Sequence, residues 1–274
     1  MLDFKIDEQL CVKCGQCAKS CPAGIINMDS GRPAIAADKE AGCYRCQHCF
    51  TVCQPGAVSI FGLDPLDSRP LGKALIDPDK FETFIKGHRT IRSYRDEDLD
   101  MALIGRLLDV AGNAPSGKND RKVRFTVIDK KEKLAELRER LVSGILALEK
   151  ESRLPKGMEF VGHLAHLWVD SKVDIIFRGA PHLVIVSAPK NAISPIPDCF
   201  IALSYFDLFA HSLNVGTVWS GLAKWAIDDI LPETKTFLGI PPDHVFGYAM
   251  VFGRPAVKYA RTAQRGSADV HFVR

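Results

Sequence analysis

The sequence has little that would indicate a polyanionic partner, export or a membrane. Its formal net charge is only +3 over 274 residues, and the basic residues are spread along the chain, which argues against nucleic-acid binding. The N-terminus, MLDFKIDEQL, has no basic region followed by an apolar run, so we expect no secretory signal. The longest apolar stretch, residues 199–219, is interrupted by Ser204, Asp207, His211 and Asn214, and we interpret it as a buried helix. These absences predict a cytoplasmic protein without a membrane partner.

Two familiar catalytic patterns are missing as well. No G-x-G-x-x-G lies between a predicted strand and a predicted helix, so no Rossmann dinucleotide site is expected. No Ser-His-Asp or Cys-His arrangement stands out, and the catalytic residues therefore stay unassigned. His163 and His166 have the spacing of one helix face, which would suit a metal ion, but packing or hydrogen bonding is the favoured interpretation.

Cysteine, by contrast, is abundant and regularly spaced. Eight of the nine cysteines lie in residues 1–62, in the stretches CVKCGQCAKSCP and CYRCQHCFTVCQP. Each stretch, which we call a comb, has the spacing C-x2-C-x2-C-x3-C; Pro22 follows the first comb, and Gln54 and Pro55 follow the second. In a reducing cytoplasm such thiols indicate metal ligands rather than disulfides. Zinc sites typically use C-x2-C pairs rather than triplets, so a zinc module and a disulfide scaffold are the disfavoured alternatives.

The two combs resemble the bacterial-type ferredoxin that carries two [4Fe-4S] clusters. In that pattern the fourth cysteine of each comb ligates the other cluster. The resemblance therefore implies one cluster on Cys11, Cys14, Cys17 and Cys53, and the other on Cys43, Cys46, Cys49 and Cys21. We expect the insertion of Gln54 to shift the turn after the second comb slightly. Cys199 stands alone in the apolar stretch and is predicted to be a small core residue.

The composition changes after the combs. Residues 1–62 have few long apolar side chains, and a segment of this size usually needs metals or cross-links for stability. Residues 63–80 contain several prolines and no periodicity, so they are predicted to form a linker. From residue 81 onward, DLDMALIGRLLDVAG and KEKLAELRERLVSGILALEK predict helices, and VRFTVID and HLVIVSA predict strands. Such an order favours an α+β or α/β domain over residues 81–274.

Clusters transfer single electrons, and a flavin is a natural group to collect two of them for an organic substrate. The stretch GHRTIRSYRDEDLD offers donors and positive charge suited to a phosphate, from His88, Arg89, Thr90 and Arg92. It resembles the opening signature of the nitroreductase-like flavoproteins, in which such a run holds the phosphate of FMN. A solvated basic surface is the alternative interpretation of the same residues.

Later segments follow the order of that family. NAPSGKNDRKVRF resembles a segment that contacts the flavin ring from the neighbouring subunit, which implies contacts by Pro115, Ser116, Gly117 and Asn119. Without the resemblance this stretch predicts only a turn, and Arg121, Lys122 and Val123 replace the Gln-Pro-Trp that the family usually has. RGAPHLVIVSA resembles the family strand entered through Gly-Ala-Pro.

Two more segments complete the resemblance. LNVGTVWSGL resembles a turn whose backbone amides face the flavin, with Trp219, Ser220 and Gly221 at the matching positions. In the closing tail, Arg265 matches a basic residue that reaches back to the phosphate. Lys258 and Arg261 are weaker phosphate candidates that we expect to face solvent.

The resemblance implies an α+β fold: a ferredoxin-like domain with two [4Fe-4S] clusters (residues 1–62), a linker (63–80) and a nitroreductase-like sandwich domain with FMN (81–274). It implies an oxidoreductase that passes electrons from a low-potential donor, preferably ferredoxin, through the clusters to FMN and then to a small organic acceptor such as a nitroaromatic, quinone or enone. A homodimer in an oxygen-limited cytoplasm is expected, with substrate choice set by residues 148–173. The alternatives are an enzyme of different specificity, such as an enone or quinone reductase or a reductive dehalogenase, and an electron relay or redox sensor without small-molecule turnover.

Overall fold

The computed structural model describes residues 2–72 and 74–274. Met1 of the predicted first domain and Lys73 of the predicted linker lie outside the described residues. The chain divides into two compact units, Met1–Ile76 with Lys118–Asp120, and Asp77–Gly117 with Arg121–Arg274. Within the described part of the chain, no helix has the length and apolarity that a membrane crossing requires.

The first unit is built from very short elements in a repeated pattern. Its helices are α1 (Gln16–Lys19) and α2 (His48–Thr51), and each carries the third cysteine of its comb. Two antiparallel pairs of strands complete it: β1 (Lys5–Ile6) with β4 (Val58–Ser59), and β2 (Ile26–Asn27) with β3 (Ala34–Ile35). Two 3-10 segments, Ala37–Gly42 and Pro65–Asp67, lie between and after these elements.

The two halves of the first unit share the same turn after the comb. Gly24 and Gly56 each stand three residues after the last cysteine, with φ of 62° and 69°, a region that favours glycine. Their N–H groups donate to the carbonyls of Cys21 and Cys53 at 3.1 and 3.0 Å. Gln54 therefore adds no residue to the turn, because the proline only moves one place along it. The expected shift of the second turn is wrong.

The second unit is an antiparallel sheet covered by helices on both faces. Its strands, in the order β5-β6-β8-β7, are β5 (Arg124–Ile128), β6 (His182–Pro189), β7 (Gly216–Trp219) and β8 (His244–Gly253). The longer helices are α3 (Pro78–Gly87), α4 (Met101–Ala111), α5 (Lys131–Lys150), α6 (Phe160–Ser171) and α7 (Pro195–Ser212). The shorter ones are α8 (Gly221–Lys224), a π-helix over Trp225–Ile230, and α9 (Thr234–Phe237). The predicted α+β class is confirmed.

Strand β6 separates two hydrophobic cores. Val184 and Val186 pack in the core that includes α4 and α7, whereas Leu183 and Ile185 pack in the core that includes α5 and α6. Successive side chains of a strand point to opposite faces, so β6 is buried on both sides. The sheet is therefore the middle layer of the unit.

Most of the predicted elements of the second unit are present. The helix α5 spans the predicted segment, and Asp100 caps α4 at its start. β5 lies within its predicted strand, and β6 extends one residue beyond its own, to Pro189. The single helix expected over residues 199–219 is wrong, because α7 ends at Ser212 and β7 takes the last four residues. Asn214, with φ of 54°, reverses the chain, and asparagine is one of the few residues that tolerate this conformation. Cys199 is fully buried, as predicted.

Candidate functional site

The eight cysteines of the first unit surround two cavities. Cys11, Cys14, Cys17 and Cys53 line one cavity, and Cys43, Cys46, Cys49 and Cys21 line the other. Each cavity thus has three cysteines from one comb and the fourth from the other comb, the grouping that the ferredoxin resemblance implies. The remaining walls include apolar side chains: Val12, Pro33 and Val58 around the first cavity, and Ile25, Ile26, Ile35 and Ile60 around the second.

The chemistry of the cavities suits anionic sulfur. The N–H of Arg45 donates to Cys43 Sγ at 3.4 Å, and the N–H of Ala57 donates to Cys53 Sγ at 3.2 Å. Burial raises the pKa of the Cys49 thiol to about 11, so a coordinating metal has to displace its proton. Over residues 2–72 and 74–274, no three His, Cys, Asp or Glu side chains converge closely enough for a single metal ion. Each set of four cysteines lines a cavity, as the binding of a cluster requires.

In the second unit, the predicted phosphate segment lies beside β7. The N–H of Ile91 donates to the carbonyl of Thr217 at 3.0 Å. The approach is close: a Cβ added to Gly216 would lie 2.6 Å from Cγ1 of Ile91, so only glycine fits there. The structure thereby brings residues 88–92 next to the strand that ends at Trp219, the first residue of the predicted flavin turn.

A buried carboxylate joins these two segments. Asp207 of α7 is 7% exposed, and it accepts hydrogen bonds from His88 Nε2 at 3.0 Å and from Trp219 Nε1 at 2.9 Å. The hydroxyl of Thr217 donates to the same carboxylate. Burial raises the pKa of Asp207, but the hydrogen bonds from His88, Thr217 and Trp219 outweigh it and hold the pKa below its ordinary value. In the sequence Asp207 is only an interruption of an apolar stretch, whereas the structure surrounds it with three hydrogen-bond donors.

The other predicted phosphate residues differ in their surroundings. The guanidinium of Arg89 donates to the carbonyls of His88 and Lys86, Thr90 is half-buried, and Arg92 is exposed. The start of the C-terminal tail lies beside this segment, because the N–H of Ala256 donates to the carbonyl of Ser93 at 2.9 Å. Further along the tail, Lys258, Arg261 and Arg265 are exposed.

The predicted ring-contact loop is held by a second carboxylate of α7. The N–H of Gly117 donates to Asp198 Oδ1 at 3.0 Å, and Asp198 is 4% exposed. The hydroxyl of Ser116 accepts the N–H of Arg121 at 2.9 Å. Pro115 is exposed, and it lines a cavity of about 120 Å³ together with Ser116, Arg121 and Asp198. This loop is thus fixed at the first turn of α7.

Asn119 of the same predicted segment belongs to the first unit. Its side-chain amide donates to the carbonyl of Tyr44 at 3.0 Å. Lys118, Asn119 and Arg121 have φ of 49°, 57° and 50°, an unusual density of left-handed residues other than glycine. Such conformations are strained and are frequent at functional sites.

The predicted flavin turn contains one buried and one half-buried residue after Trp219. Ser220 is 4% exposed; its hydroxyl donates to the carbonyl of Ile176 at 2.9 Å and accepts the N–H of Ala223 at 3.1 Å, while its own N–H donates to the carbonyl of Ala249. Ser220 therefore caps α8. The first N–H groups of a helix lack acceptors within the helix, so Gly221, the first residue of α8, has an amide suited to a ligand.

The two histidines of α6 have different surroundings. His166 Nε2 bonds with Glu149 Oε2 at 2.8 Å, and His163 is exposed.

The cysteine-lined cavities of the first unit and the α+β fold of the second unit together are typical of an iron–sulfur redox protein with a second domain. Residues 10–58 match the family model described as a 4Fe-4S dicluster domain. Residues 85–254, more than half of the chain, match the model of the nitroreductase family. The chain belongs to the nitroreductase family, and it carries an N-terminal 4Fe-4S dicluster domain.

Individual relatives agree with this assignment. A protein of Methanothermobacter thermautotrophicus named "Putative NADH dehydrogenase/NAD(P)H nitroreductase" is 27% identical over 178 residues, which is 63% of this chain and 75% of that protein. A nitroreductase structure with bound FMN from Bacteroides fragilis covers 72% of this chain and 100% of its own, with a TM-score of 0.57 and 24% identity. One from Desulfitobacterium hafniense, also with bound FMN, covers 73% and 100%, with a TM-score of 0.56 and 21% identity. The predicted nitroreductase-like fold is confirmed.

Proposed function

We propose that this protein is an FMN-dependent oxidoreductase that takes electrons from a low-potential donor protein, ferredoxin, through two [4Fe-4S] clusters and delivers them to a small organic acceptor. Nitroaromatics, quinones and enones are the acceptor classes. The observation that carries the proposal is the union, in one chain, of a dicluster domain with two four-cysteine cavities and a nitroreductase-family domain. The clusters supply one-electron transfer, and bound FMN supplies the exchange between single electrons and the two-electron reduction of the acceptor.

The iron ligands are the two sets of four cysteines that line the cavities. Because each set takes one cysteine from the other comb, the two clusters also join the two halves of the unit. The apolar walls limit the access of water to the clusters, which is one of the factors that set cluster potentials. Eight such thiols persist only where they stay reduced, which supports a cytoplasm with little oxygen.

The FMN residues lie in the segments described above. His88, Arg89, Thr90 and Arg92 offer charge and hydrogen-bond donors to the phosphate, and Arg265 approaches it from the tail. Trp219, Ser220 and Gly221 form the turn at the ring, with the amide of Gly221 as the donor. The FMN named with the structures from Bacteroides fragilis and Desulfitobacterium hafniense supports this choice of flavin.

A homodimer would explain the exposed apolar side chains of α7. Ile196, Phe200, Tyr205 and Leu208 are 36–43% exposed on this helix. Large apolar side chains left exposed on one helix favour an interface when they lie close together. A second copy would cover it and would present its loop of Pro115, Ser116, Gly117 and Asn119 to the flavin of the first. Residues 148–173, which include α6, would then select the acceptor.

The experiment compares two ways of supplying electrons under anaerobic conditions. Cys53→Ser should lose the cluster on Cys11, Cys14 and Cys17, and Cys21→Ser should lose the other. Turnover of nitroaromatics, quinones, enones or halophenols driven by reduced ferredoxin should then fall at least about tenfold, while turnover driven by a small reductant that reaches the flavin directly should persist. Cys199→Ser is the matched control, since Cys199 lies outside both cavities.

Three results would contradict the proposal. Wild-type protein with far fewer than about eight iron atoms per chain would remove the two-cluster assignment. Full ferredoxin-driven turnover in a variant shown by iron analysis to lack one cluster would make that cluster structural. Pre-reduced protein that no acceptor class reoxidises would favour the electron relay.

A further inference from the structure

We propose that Asp207 is a positioning residue for the flavin, one that holds the ring of His88 at the phosphate end of the site and the indole of Trp219 at the ring end. The inference rests on the proposed FMN site. It adds a role for a residue that does not itself reach the flavin.

The geometry supports a shared anchor. Asp207 Oδ1 accepts from His88 and Thr217, and Oδ2 accepts from Trp219. An indole has one N–H, so the bond to Oδ2 at 2.9 Å fixes the direction in which the Trp219 ring lies. One carboxylate therefore orients side chains from two segments that are separated by more than 120 residues of sequence.

The same bond sets the hydrogen position on His88. An ionised carboxylate only accepts hydrogen bonds, so His88 Nε2 must carry the hydrogen that is shared with Asp207. The bond therefore fixes the orientation of the His88 ring beside Arg89 and Thr90 of the predicted phosphate segment. The ring of His211 packs edge-on against His88, with centroids 5.1 Å apart, and supports the orientation from the next turn of α7.

Burial of the Asp207 carboxylate would destabilise the fold if its three hydrogen-bond donors were absent. A buried carboxylate requires hydrogen bonds to offset its desolvation, and Asp207 is only 7% exposed. A purely structural role, in which Asp207 only ties α7 to β7, would predict a general loss of stability. A positioning role predicts in addition a change that depends on the phosphate of the ligand.

Asp207→Asn tests the difference in the full-length protein after its flavin has been removed. Asparagine keeps the shape, but its amide nitrogen cannot accept from a ring N–H. The dissociation constants of FMN and riboflavin would be measured by flavin fluorescence. We expect the wild type to prefer FMN, and the variant to bind FMN about tenfold or more weakly and to lose much of its preference over riboflavin.

Asp174→Asn is the matched control. Its side chain is 7% exposed and accepts from Arg138 Nε at 2.8 Å and from the N–H of Phe177 at 2.8 Å, but it touches no proposed flavin segment. This variant should have a lower melting temperature and an unchanged preference for FMN. If Asp207→Asn fails to fold, His88→Gln can be tested instead. This variant removes the imidazole at the phosphate end and leaves Trp219 bound to Asp207, so it should lower FMN affinity with little effect on riboflavin.

The outcomes separate the two proposals. Wild-type protein that binds neither flavin would contradict the proposed function. Wild-type protein that prefers FMN, with the same preference in Asp207→Asn or in His88→Gln, would contradict only the positioning role.

Discussion

The two units of this protein achieve order in different ways. In the first unit the helices are four residues long and the strands two, and the small hydrophobic cluster includes Cys17 and Cys49 themselves. In the second unit, β6 is buried on both faces between two cores of aliphatic and aromatic side chains. The first unit is arranged around two cavities that inorganic clusters would fill, whereas the second is filled by its own side chains. The comparison teaches that the folding of one part should depend on iron and that of the other on apolar burial.

Removal of iron should have the largest effect. Anaerobic chelation should unfold residues 2–62 and leave the second unit folded, because only the first unit lacks a substantial core. Hydrogen exchange would be compared between residues 2–62 and 77–274 before and after chelation. Protection of the first unit that survives complete loss of iron would show that its fold does not depend on the clusters.

A cavity created by mutation in the core of the second unit should lower stability without loss of iron. Phe206 is fully buried and packs edge-on against Phe252, with centroids 5.2 Å apart. Phe206→Ala should lower the free energy of unfolding of the second unit by about 3–5 kcal/mol, measured by urea titration, with iron content unchanged. Phe81→Ala, at a position that is 45% exposed, is the matched control and should cost less than about 1 kcal/mol. Equal losses in the two variants would argue against a core at Phe206.

A buried histidine should add a pH dependence to the second unit. His182 is fully buried, and its Nε2 accepts the N–H of Leu99 at 2.8 Å. Burial lowers the pKa of His182, and the nearby Asp98 only partly opposes this effect. The unfolded chain therefore takes up a proton that the folded chain does not, and stability should fall as the pH drops below about 6.5, by up to about 1.4 kcal/mol per pH unit.

His182→Gln isolates that effect, since glutamine can still accept the N–H of Leu99. The free energy of unfolding would be measured from pH 7 to pH 5 in both proteins. The variant should show the shallower slope; because burial also lowers the pKa of His211, some slope should remain. Identical slopes would show that His182 does not contribute.

The smallest effect should come from exchanging the two comb turns. Gln54→Pro with Pro55→Ala gives the second turn the order of the first, and the change should be within about 0.5 kcal/mol, with full iron content. Gly56→Ala is the contrasting variant: its φ of 69° strains any other residue, so it should cost about 1 kcal/mol or more. Thermal melting of the holoprotein measures both. A large loss in the exchanged variant would mean that the two turns are not equivalent.

Much of this architecture could be predicted because it is local in the sequence. The combs, the helix α5 and the strands β5 and β6 follow from spacing and periodicity within short windows. β7 was missed because an apolar stretch has no feature that separates a buried helix from a buried strand, and only Asn214 marked the boundary. The equivalence of the two comb turns could not be recognised from the prolines, which stand at different places in the two turns. The spacing from the last cysteine to the glycine is the same in both and would have predicted it.

The carboxylates of α7 could not be assigned from sequence for a different reason. His88 and Asp207 are 119 residues apart in the chain, so their hydrogen bond exists only after the sheet has formed. The available signal was an acidic residue at a position expected to be buried, which requires a donor but does not identify it. Ser220 is the opposite case. The sequence places it at the predicted flavin turn, but in the structure its hydroxyl and its N–H are both hydrogen-bonded within the protein.

The tight fit around Cys199 has a practical consequence. A Cβ added to Gly247 would lie 2.8 Å from the sulfur of Cys199, and burial, with the nearby Asp198, raises the pKa of that thiol to about 12. An alkylating reagent reacts with an exposed thiolate, so Cys199 should not react while the second unit stays folded. A thiol titration of the native protein should consequently count only the vacant ligands of the proposed clusters, from none in a fully loaded chain to eight in an iron-free chain. The ninth thiol appears only on denaturation, and it provides an internal standard for the other eight.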